Sequence, residues 1–457
     1  MNQPTDLDLA LANQQIAILG AGRSGLGAAR LARKLGAVPV VFDEGDPVKM
    51  ARAVQALADE GFECRLGLEE AQKAVASQQF SLAVTSPGLD AGWPLPKAFT
   101  DAGVPLVGEI EFAWRPIKAV PTVAITGTNG KTTTTELMER MFAGCGHRTI
   151  ACGNYGHALS EVAYSGEAYD ILTVEVSSFQ LETITSFRPR VAVWLNFAPD
   201  HLDRYPDNEA YFAAKKRIFD YMTSDDVAII RAGEPLDGIA PRVVTFSTEP
   251  DVEADFMLFH DRILFRGEKI ARVSDLPLHE RHNIENQMAA LAAGWVMGLP
   301  FEDMLEALSG YEPARHRCEL VKVVNGHSYI NDSKATNLHA LETCLRSQDA
   351  PVVLIAGGKE KGLDYSPFRS LITEKVTALV TIGEIADKLS TMFSDLVPCQ
   401  QALTVPAAVE LATQLAAPRQ TIVFSPGTSS FDMFSGYAER GNVFRDAVLN
   451  LPTPILN

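Results

Sequence analysis

Gly127-Thr128-Asn129-Gly130-Lys131-Thr132 places two glycines, a lysine and a hydroxyl in one short stretch directly after a β-branched run. Such a loop turns backbone N–H groups and a helix N-terminus toward an anion, with the lysine charge beside it. The Thr132 hydroxyl is placed to ligate Mg²⁺, and Thr133 carries the chain into a helix. Binding of a nucleoside triphosphate is the chemistry this suits. Only two residues separate Gly127 from Gly130, so the loop is a short variant of the usual phosphate loop.

A loop of different design lies about a hundred residues upstream, where Gly20-Ala21-Gly22-Arg23-Ser24-Gly25 follows a strand-like run and Asp43 ends the next one. The glycines allow a tight turn and close approach to a pyrophosphate, and the acid can meet a ribose hydroxyl. The pattern specifies a pyrophosphate. It leaves open a dinucleotide cofactor, another diphosphate nucleotide or a purely structural turn.

Other candidates sit at strand ends. Glu175 closes Thr173-Val174-Glu175, where a carboxylate can reach a Mg²⁺ held by a triphosphate or simply cap the strand. His201, in Asn196-Phe197-Ala198-Pro199-Asp200-His201-Leu202-Asp203-Arg204-Tyr205, follows another strand and suits either a metal or an ordinary loop. Lys215 stands in Ala213-Ala214-Lys215-Lys216-Arg217, a run that alone reads as a solvated helix face. His279-Glu280-Arg281-His282 has the wrong spacing for a zinc helix. Three polar clusters end strands of the last third: 331–337, 356–362 and 425–432. One would be a turn; three suggest a ligand edge.

The elements that must position these groups alternate. Strands over 15–19, 38–42 and 80–85 with helices over 25–35 and 47–60 predict a parallel sheet covered on both faces. A second block has strands over 120–126, 170–176 and 191–196 and helices over 133–143, 286–297 and 301–308. A third has strands over 319–324, 328–330, 352–356, 378–382 and 421–424. The fold class is α/β in three domains: a Rossmann-like nucleotide domain over 1–110, a central phosphate-loop ATPase-like domain over 111–313 with a mainly parallel sheet, and a C-terminal Rossmann-like domain over 314–457.

The net charge of −17 disfavours nucleic acid and anionic membranes as partners, and it requires any anionic substrate to be held by local cations. The polar, acidic first residues argue against a secretory signal, and the longest apolar run, 288–299, stops at Pro300, too short to span a bilayer. Six widely spaced cysteines without a CxxC pair read as reduced, mostly buried thiols, neither a disulfide framework nor a zinc site. A cytoplasmic location is expected.

Together the short Gly127–Thr132 loop, Ser177-Ser178-Phe179-Gln180-Leu181-Glu182, the 200–205 run and Asn331-Asp332-Ser333-Lys334-Ala335-Thr336-Asn337 resemble the Mur ligases over nearly the whole chain. The short loop alone is shared with folylpolyglutamate synthases; the other three runs are the specific part. The resemblance implies an ATP-dependent ligase that joins D-glutamate to UDP-N-acetylmuramoyl-L-alanine through an acyl phosphate, acting as a monomer on small-molecule substrates. It assigns ATP to Gly127, Thr128, Asn129, Gly130, Lys131, Thr132, Thr133, Asn286, Arg317 and Asp332. It places two Mg²⁺ ions on Thr132, Glu175, His201 and a carbamylated Lys215, with Lys131, Glu175, His201 and Lys215 as the catalytic set. The UDP moiety falls to Gly20, Gly22, Arg23, Ser24, Gly25, Asp43, Gly88 and Asn154, and D-glutamate to Lys334, Thr336, Lys361, Ser430 and Phe431. Asp43 is followed here by Glu44-Gly45, where the family pattern has Thr-Arg. The alternatives are an NAD-dependent oxidoreductase built on the first loop, a non-catalytic nucleotide sensor, and another Mur-type or folylpolyglutamate-type ligase.

Overall fold

The structure, a computed structural model, describes residues 11–77, 79–201, 204–312, 315–348 and 350–452. Leu202 and Asp203 of the 200–205 run, and the expected boundary at 313/314, lie outside the described residues. The chain forms two compact units. One comprises residues up to 197 together with 212–311, and the other comprises 198–211 together with the chain from 312 onward.

The first unit contains two sheets. The first sheet has strands β1 (Gln15–Leu19), β2 (Val38–Asp43), β3 (Glu63–Leu66), β4 (Phe80–Thr85) and β5 (Leu106–Gly108), in the order β3-β2-β1-β4-β5. All its pairings are parallel. The order reverses between β1 and β4, the place where open α/β sheets bind nucleotides at the carboxyl ends of the strands. The central strands are apolar runs buried on both faces. The edges β3 and β5 are short, and β3 is polar, which is why the sequence pattern passes over them.

The second sheet comprises β6 (Thr122–Thr126), β7 (Thr149–Gly153), β8 (Ile171–Glu175), β9 (Val191–Trp194), β10 (Val227–Arg231), β11 (Arg242–Ser247), β12 (Phe256–Phe259), β13 (Arg262–Phe265) and β14 (Glu268–Arg272). Their order is β14-β13-β12-β11-β10-β9-β6-β8-β7. The meander β12–β14 is antiparallel, and the rest of the sheet is parallel. The helix expected over 286–297 begins earlier and runs Arg281–Val296. His279, just before it, has its Nε2 2.9 Å from the Leu276 carbonyl, a backbone contact and not a zinc arrangement.

One apolar core runs through both sheets of this unit. It joins Ile16, Ile18 and Val41 of the first sheet to Leu172, Val174 and Trp194 of the second through Phe112 and Trp114. Close approach of the helices Arg23–Lys34 and Leu159–Ser165 depends on Gly27, where a Cβ would lie 2.6 Å from Ser160 Oγ. Glu111, fully buried on the helix Glu109–Ile117, accepts the backbone N–H groups of Thr185, Ser186 and Phe187 at 3.0, 3.0 and 2.8 Å and pairs with Arg115 at 2.9 Å. Burial alone would push its carboxyl up. The Ser186 hydroxyl, these amides and Arg115 outweigh that and hold it below the usual glutamate range.

The second unit contains β15 (Glu319–Val324), β16 (His327–Asn331), β17 (Val352–Gly357), β18 (Val376–Ile382), β19 (Cys399–Gln401) and β20 (Ile422–Phe424), in the order β15-β16-β20-β17-β18-β19. Only β15–β16 is antiparallel. The strands β16, β20 and β17 are neighbours, so the three polar clusters that follow them emerge side by side. None of the six cysteines is in a disulfide. Cys152 and Cys344 are buried and the other four only partly so, which differs from the expectation of mostly buried thiols. Among the described residues no helix is long and apolar enough to cross a membrane.

Candidate active site

In the first unit, β6 ends at Thr126 and the chain turns through Gly127 (φ 151°) and Gly130 (φ 84°) into the helix Lys131–Gly144. Both glycines are needed for space as well as for positive φ. A Cβ on Gly130 would sit 2.4 Å from Asn286 Oδ1, and one on Gly127 would lie 3.0 Å from Leu195 Cβ. The buried Asn286 therefore packs against the loop it is expected to serve. Lys131 Nζ donates to the Gly127 and Thr128 carbonyls at 2.8 and 2.9 Å, which folds the lysine over its own loop. Thr132 is buried beneath it, and Thr133 follows into the same helix.

Glu175 ends β8, which is paired directly with β6, and is buried. Its Oε1 accepts from Asn154 Nδ2 at 2.7 Å, while its Oε2 is buried with no hydrogen-bond partner. A buried carboxylate oxygen without a donor is costly, and a hard cation satisfies it. The residues therefore fit a Mg²⁺ next to the phosphate loop. Asn154, expected toward the sugar, has its side chain on this carboxylate.

Lys215, on the helix Asn208–Lys216, is not on a solvated face: it is 1% exposed, and its Nζ donates to the Gly127 carbonyl at 2.8 Å. Two ammonium groups thus meet one carbonyl oxygen. Lys216 points away and donates to the Asp237 carbonyl in an exposed contact.

The upstream loop closes at the β1/β4 switch point. Gly20 (φ 104°) would place a Cβ 2.6 Å from Ser86 Oγ, and a Cβ on Gly25 would overlap the Gly20 carbonyl at 1.8 Å. Gly22 faces open space, with nothing within 4 Å. The Asp43 carboxylate accepts from Ala21 N and Gly45 N, both at 2.7 Å, so it braces the loop. Arg23 reaches the Gly156 carbonyl at 2.8 Å; Ser24 is half-buried and Gly88 is exposed.

In the second unit, Asp332 follows β16 and Lys361 lies in the loop after β17. Ser430 and Phe431 lie in the loop after β20. Asp332 is buried, accepting Ser425 Oγ at 2.8 Å and Cys318 N at 3.2 Å. Burial pushes its carboxyl up to about 6, although those hydrogen bonds pull the other way. Lys361 is buried and donates to Asp200 Oδ1 at 2.8 Å, with the Thr336 carbonyl at 3.5 Å. Asn337 Nδ2 donates to the other Asp200 oxygen at 3.0 Å. Lys334 lies 4.0 Å from the centre of the Tyr437 ring, Ser430 is buried, Phe431 is 66% exposed and Arg317 is half-buried.

His201 adopts φ 56° and has its Nε2 3.7 Å from Asp200 Oδ2. Burial alone would raise the Asp200 carboxyl, but the charges of His201 and Lys361, with the hydrogen bonds they carry, hold it below the usual range.

Three positioning residues escape a reading of the chain. Asn196 clamps the phosphate loop, accepting Asn129 N at 2.9 Å and donating to Asn129 O at 3.1 Å. Asp200 gathers Lys361, Asn337 and His201. Arg440, fully buried on the helix Tyr437–Leu449, donates to the Ser333 carbonyl at 2.8 Å and the Thr428 carbonyl at 3.1 Å, tying together the loops after β16 and β20. Burial brings its guanidinium down to about 10. For Asn196 and Asp200 the available signal was position, polar groups just past a strand end. Arg440 offers none within its helix.

Two nucleotide-type sheets in one unit and a third sheet with a polar edge in the other define a multidomain α/β nucleotide-binding protein. Residues 125–294 match the Mur ligase middle domain, and residues 316–427 match the Mur ligase glutamate ligase domain. The chain is 39% identical to the UDP-N-acetylmuramoylalanine–D-glutamate ligase of Geotalea uraniireducens, covering 97% of this chain and 99% of the relative. It is 40% identical to the ligase of the same name from Geobacter metallireducens, with the same coverage. In fold it is similar to the UDP-N-acetylmuramate–alanine ligase of Thermotoga maritima, with a TM-score of 0.59 at 16% identity over 96% of this chain and 99% of that one. The chain belongs to the Mur ligase family, which sets aside the oxidoreductase suggested by the first loop.

Proposed function

We propose that the chain is an ATP-dependent ligase that joins the amine of D-glutamate to the L-alanyl carboxylate of UDP-N-acetylmuramoyl-L-alanine, releasing ADP and phosphate. It acts as a monomer in the cytoplasmic stage of peptidoglycan precursor synthesis. What carries the reading is near-full-length identity of 39–40% to ligases whose names state this substrate pair.

On this reading the loop amides of 127–133 and Lys131 bind the triphosphate, Asn286 and Arg317 contact the nucleotide, and Asp332 meets its ribose. Thr132 and Glu175 would hold one Mg²⁺, in keeping with the partnerless Glu175 oxygen. His201 and Lys215 would serve a second. When bound, these ions neutralise phosphate charge. The L-alanyl carboxylate attacks the γ-phosphorus and forms an acyl phosphate. The D-glutamate amine then attacks the acyl carbon, phosphate leaves, and the amine gives up a proton. Gly20, Gly22, Arg23, Ser24, Gly25, Asp43, Gly88 and Asn154 serve the UDP substrate. Lys334, Thr336, Lys361, Ser430 and Phe431 orient D-glutamate, with the lysines facing its carboxylates.

Lys215 acts as a carbamate, formed when its neutral amine takes up CO₂ and loses a proton. An ammonium cannot ligate a cation, whereas a carbamate offers the oxygen a hard metal prefers. Its crowding with Lys131 on the Gly127 carbonyl supports the change, because carbamylation reverses the sign of one of two adjacent charges.

The test is phosphate release from ATP with each substrate omitted in turn, alongside the mass of the UDP product. Release that requires both substrates, with a product heavier by one glutamyl residue, is expected. Equal release without D-glutamate, or with L-glutamate in its place, would refute the assignment.

A further inference from the structure

Cys318, Asp332 and Cys344 lie on three different segments within 26 residues of chain and present two sulfurs and a carboxylate oxygen within 4.8 Å of one another. The sulfurs are 3.5 Å apart. Cys344 is buried on the helix Leu338–Arg346, Asp332 is buried just past β16, and Cys318 is half-buried in the turn before β15 at φ 46°. We propose that these three side chains form a binding site for one borderline-soft divalent metal ion of the zinc class.

Distances separate this reading from its competitor, a disulfide. Two thiolates on a tetrahedral zinc, each at about 2.3 Å, stand about 3.8 Å apart. The observed pair differs from that by about 0.3 Å. A disulfide needs sulfurs at about 2.05 Å, a closure of about 1.5 Å against a rigid helix. The Cys318 thiol faces Cys344 Sγ, and the Cys318 backbone N–H donates to Asp332 Oδ1 at 3.2 Å, which holds the carboxylate beside the two sulfurs. On binding, two metal–sulfur bonds and one metal–oxygen bond form, two S–H bonds break and two protons leave to solvent. The donor set, two thiolates and one carboxylate, suits zinc over Mg²⁺, which takes oxygen ligands alone. Ser425, which donates to Asp332 Oδ2, orients the carboxylate as an outer-shell partner. The half-exposed Cys318 side leaves a fourth position for water.

One consequence rests on the proposed function. If Asp332 meets the ATP ribose, a metal that engages this carboxylate competes with ATP, and zinc should raise the apparent KM for ATP with little effect on that for D-glutamate.

The experiment titrates the reduced full-length protein with Cd²⁺ as an optical probe and with Zn²⁺ by calorimetry, in excess Mg²⁺. Expected are one equivalent per chain, thiolate-to-cadmium charge-transfer absorption and release of about two protons. Affinity should fall at least about tenfold in both Cys318→Ser and Cys344→Ala. Cys318→Ser is nearly isosteric in a turn and guards against misfolding of the buried Cys344→Ala. Unchanged affinity in Cys318→Ser, or charge transfer that persists in both variants, would overturn the site. So would an intramolecular 318–344 disulfide formed under peroxide faster than the metal binds. Metal binding without any change in the KM for ATP would sustain the site and remove Asp332 from the ribose.

Discussion

Replacing Lys361 by methionine keeps the side-chain length but removes the cation from a buried pair. Lys361 Nζ and Asp200 Oδ1 are 2.8 Å apart, with side chains 8% and 6% exposed. At an effective dielectric of about 20, that separation corresponds to about 6 kcal/mol of gross attraction, much of it offset by desolvation of both ions. Removing one partner leaves the Asp200 carboxylate to Asn337 and His201, and the expected loss is about 3 kcal/mol, the low end for a broken buried pair. Asp200→Asn should cost a similar amount. In the double variant no charge is stranded, so its cost should fall about 2 kcal/mol short of the sum. Urea unfolding of the four proteins, read by hydrogen exchange in the loops 331–337 and 357–362, isolates this unit from the other. The pH dependence has a definite sign. The folded Asp200 carboxyl lies below its unfolded value of about 3.9, so its contribution is complete above that pH and is lost as pH falls through the folded value. Lys361→Met should shift this acid loss upward. A coupling energy under about 0.5 kcal/mol would show that the contact does not hold the unit together and would refute the reasoning.

Lys131→Ala should abolish ATP-dependent phosphate release while calorimetry still detects the UDP substrate, because the β1/β4 loop is a separate feature of the same unit; parallel loss of both would contradict this. Lys215→Ala should lose most activity and regain part of it with millimolar acetate, whereas Lys216→Ala, altering an exposed contact, should stay near wild type in the same assay. Wild-type turnover in Lys215→Ala would rule out the carbamate. Glu111→Gln replaces a carboxylate that accepts three backbone amides and should cost the first unit about 3 kcal/mol in thermal or urea unfolding. Its folded value is depressed, so wild type has the full benefit above about pH 4.3 and loses it below, and the variant should lack that acid-sensitive component.

Chemistry written in consecutive residues was legible. Gly127–Thr132 announced a turn that only glycines could make, and the structure supplies the reason in the Asn286 and Leu195 contacts. Buried parallel strands such as β6, β8 and β17 stood out as continuous apolar runs. The antiparallel meander β12–β14 did not, because its strands are short and their charged positions Arg262, Glu268 and Lys269 interrupt the pattern. Contacts between distant residues carry no local signature. Lys215 read as a surface lysine because its two alanine neighbours and two basic followers resemble a solvated face, yet folding carries it to a carbonyl 88 residues upstream. Arg440 and the Cys318–Cys344 pair were hidden for the same reason.

Asp200 and Lys361 are 161 residues apart in the chain. At about 5–20 residues per second, roughly 8–30 s separate their emergence from a ribosome. The stretch 198–211 is therefore made early, with the first unit, but belongs to a unit whose remaining residues do not yet exist. Synthesis interrupted after Tyr311 and before Lys361 leaves the first unit's residues complete and the 198–211 stretch without Lys361. The second unit cannot begin to close until the loop after β17 arrives. Translation thus imposes an order on this fold: the first unit can finish before the second, and the second can never finish alone.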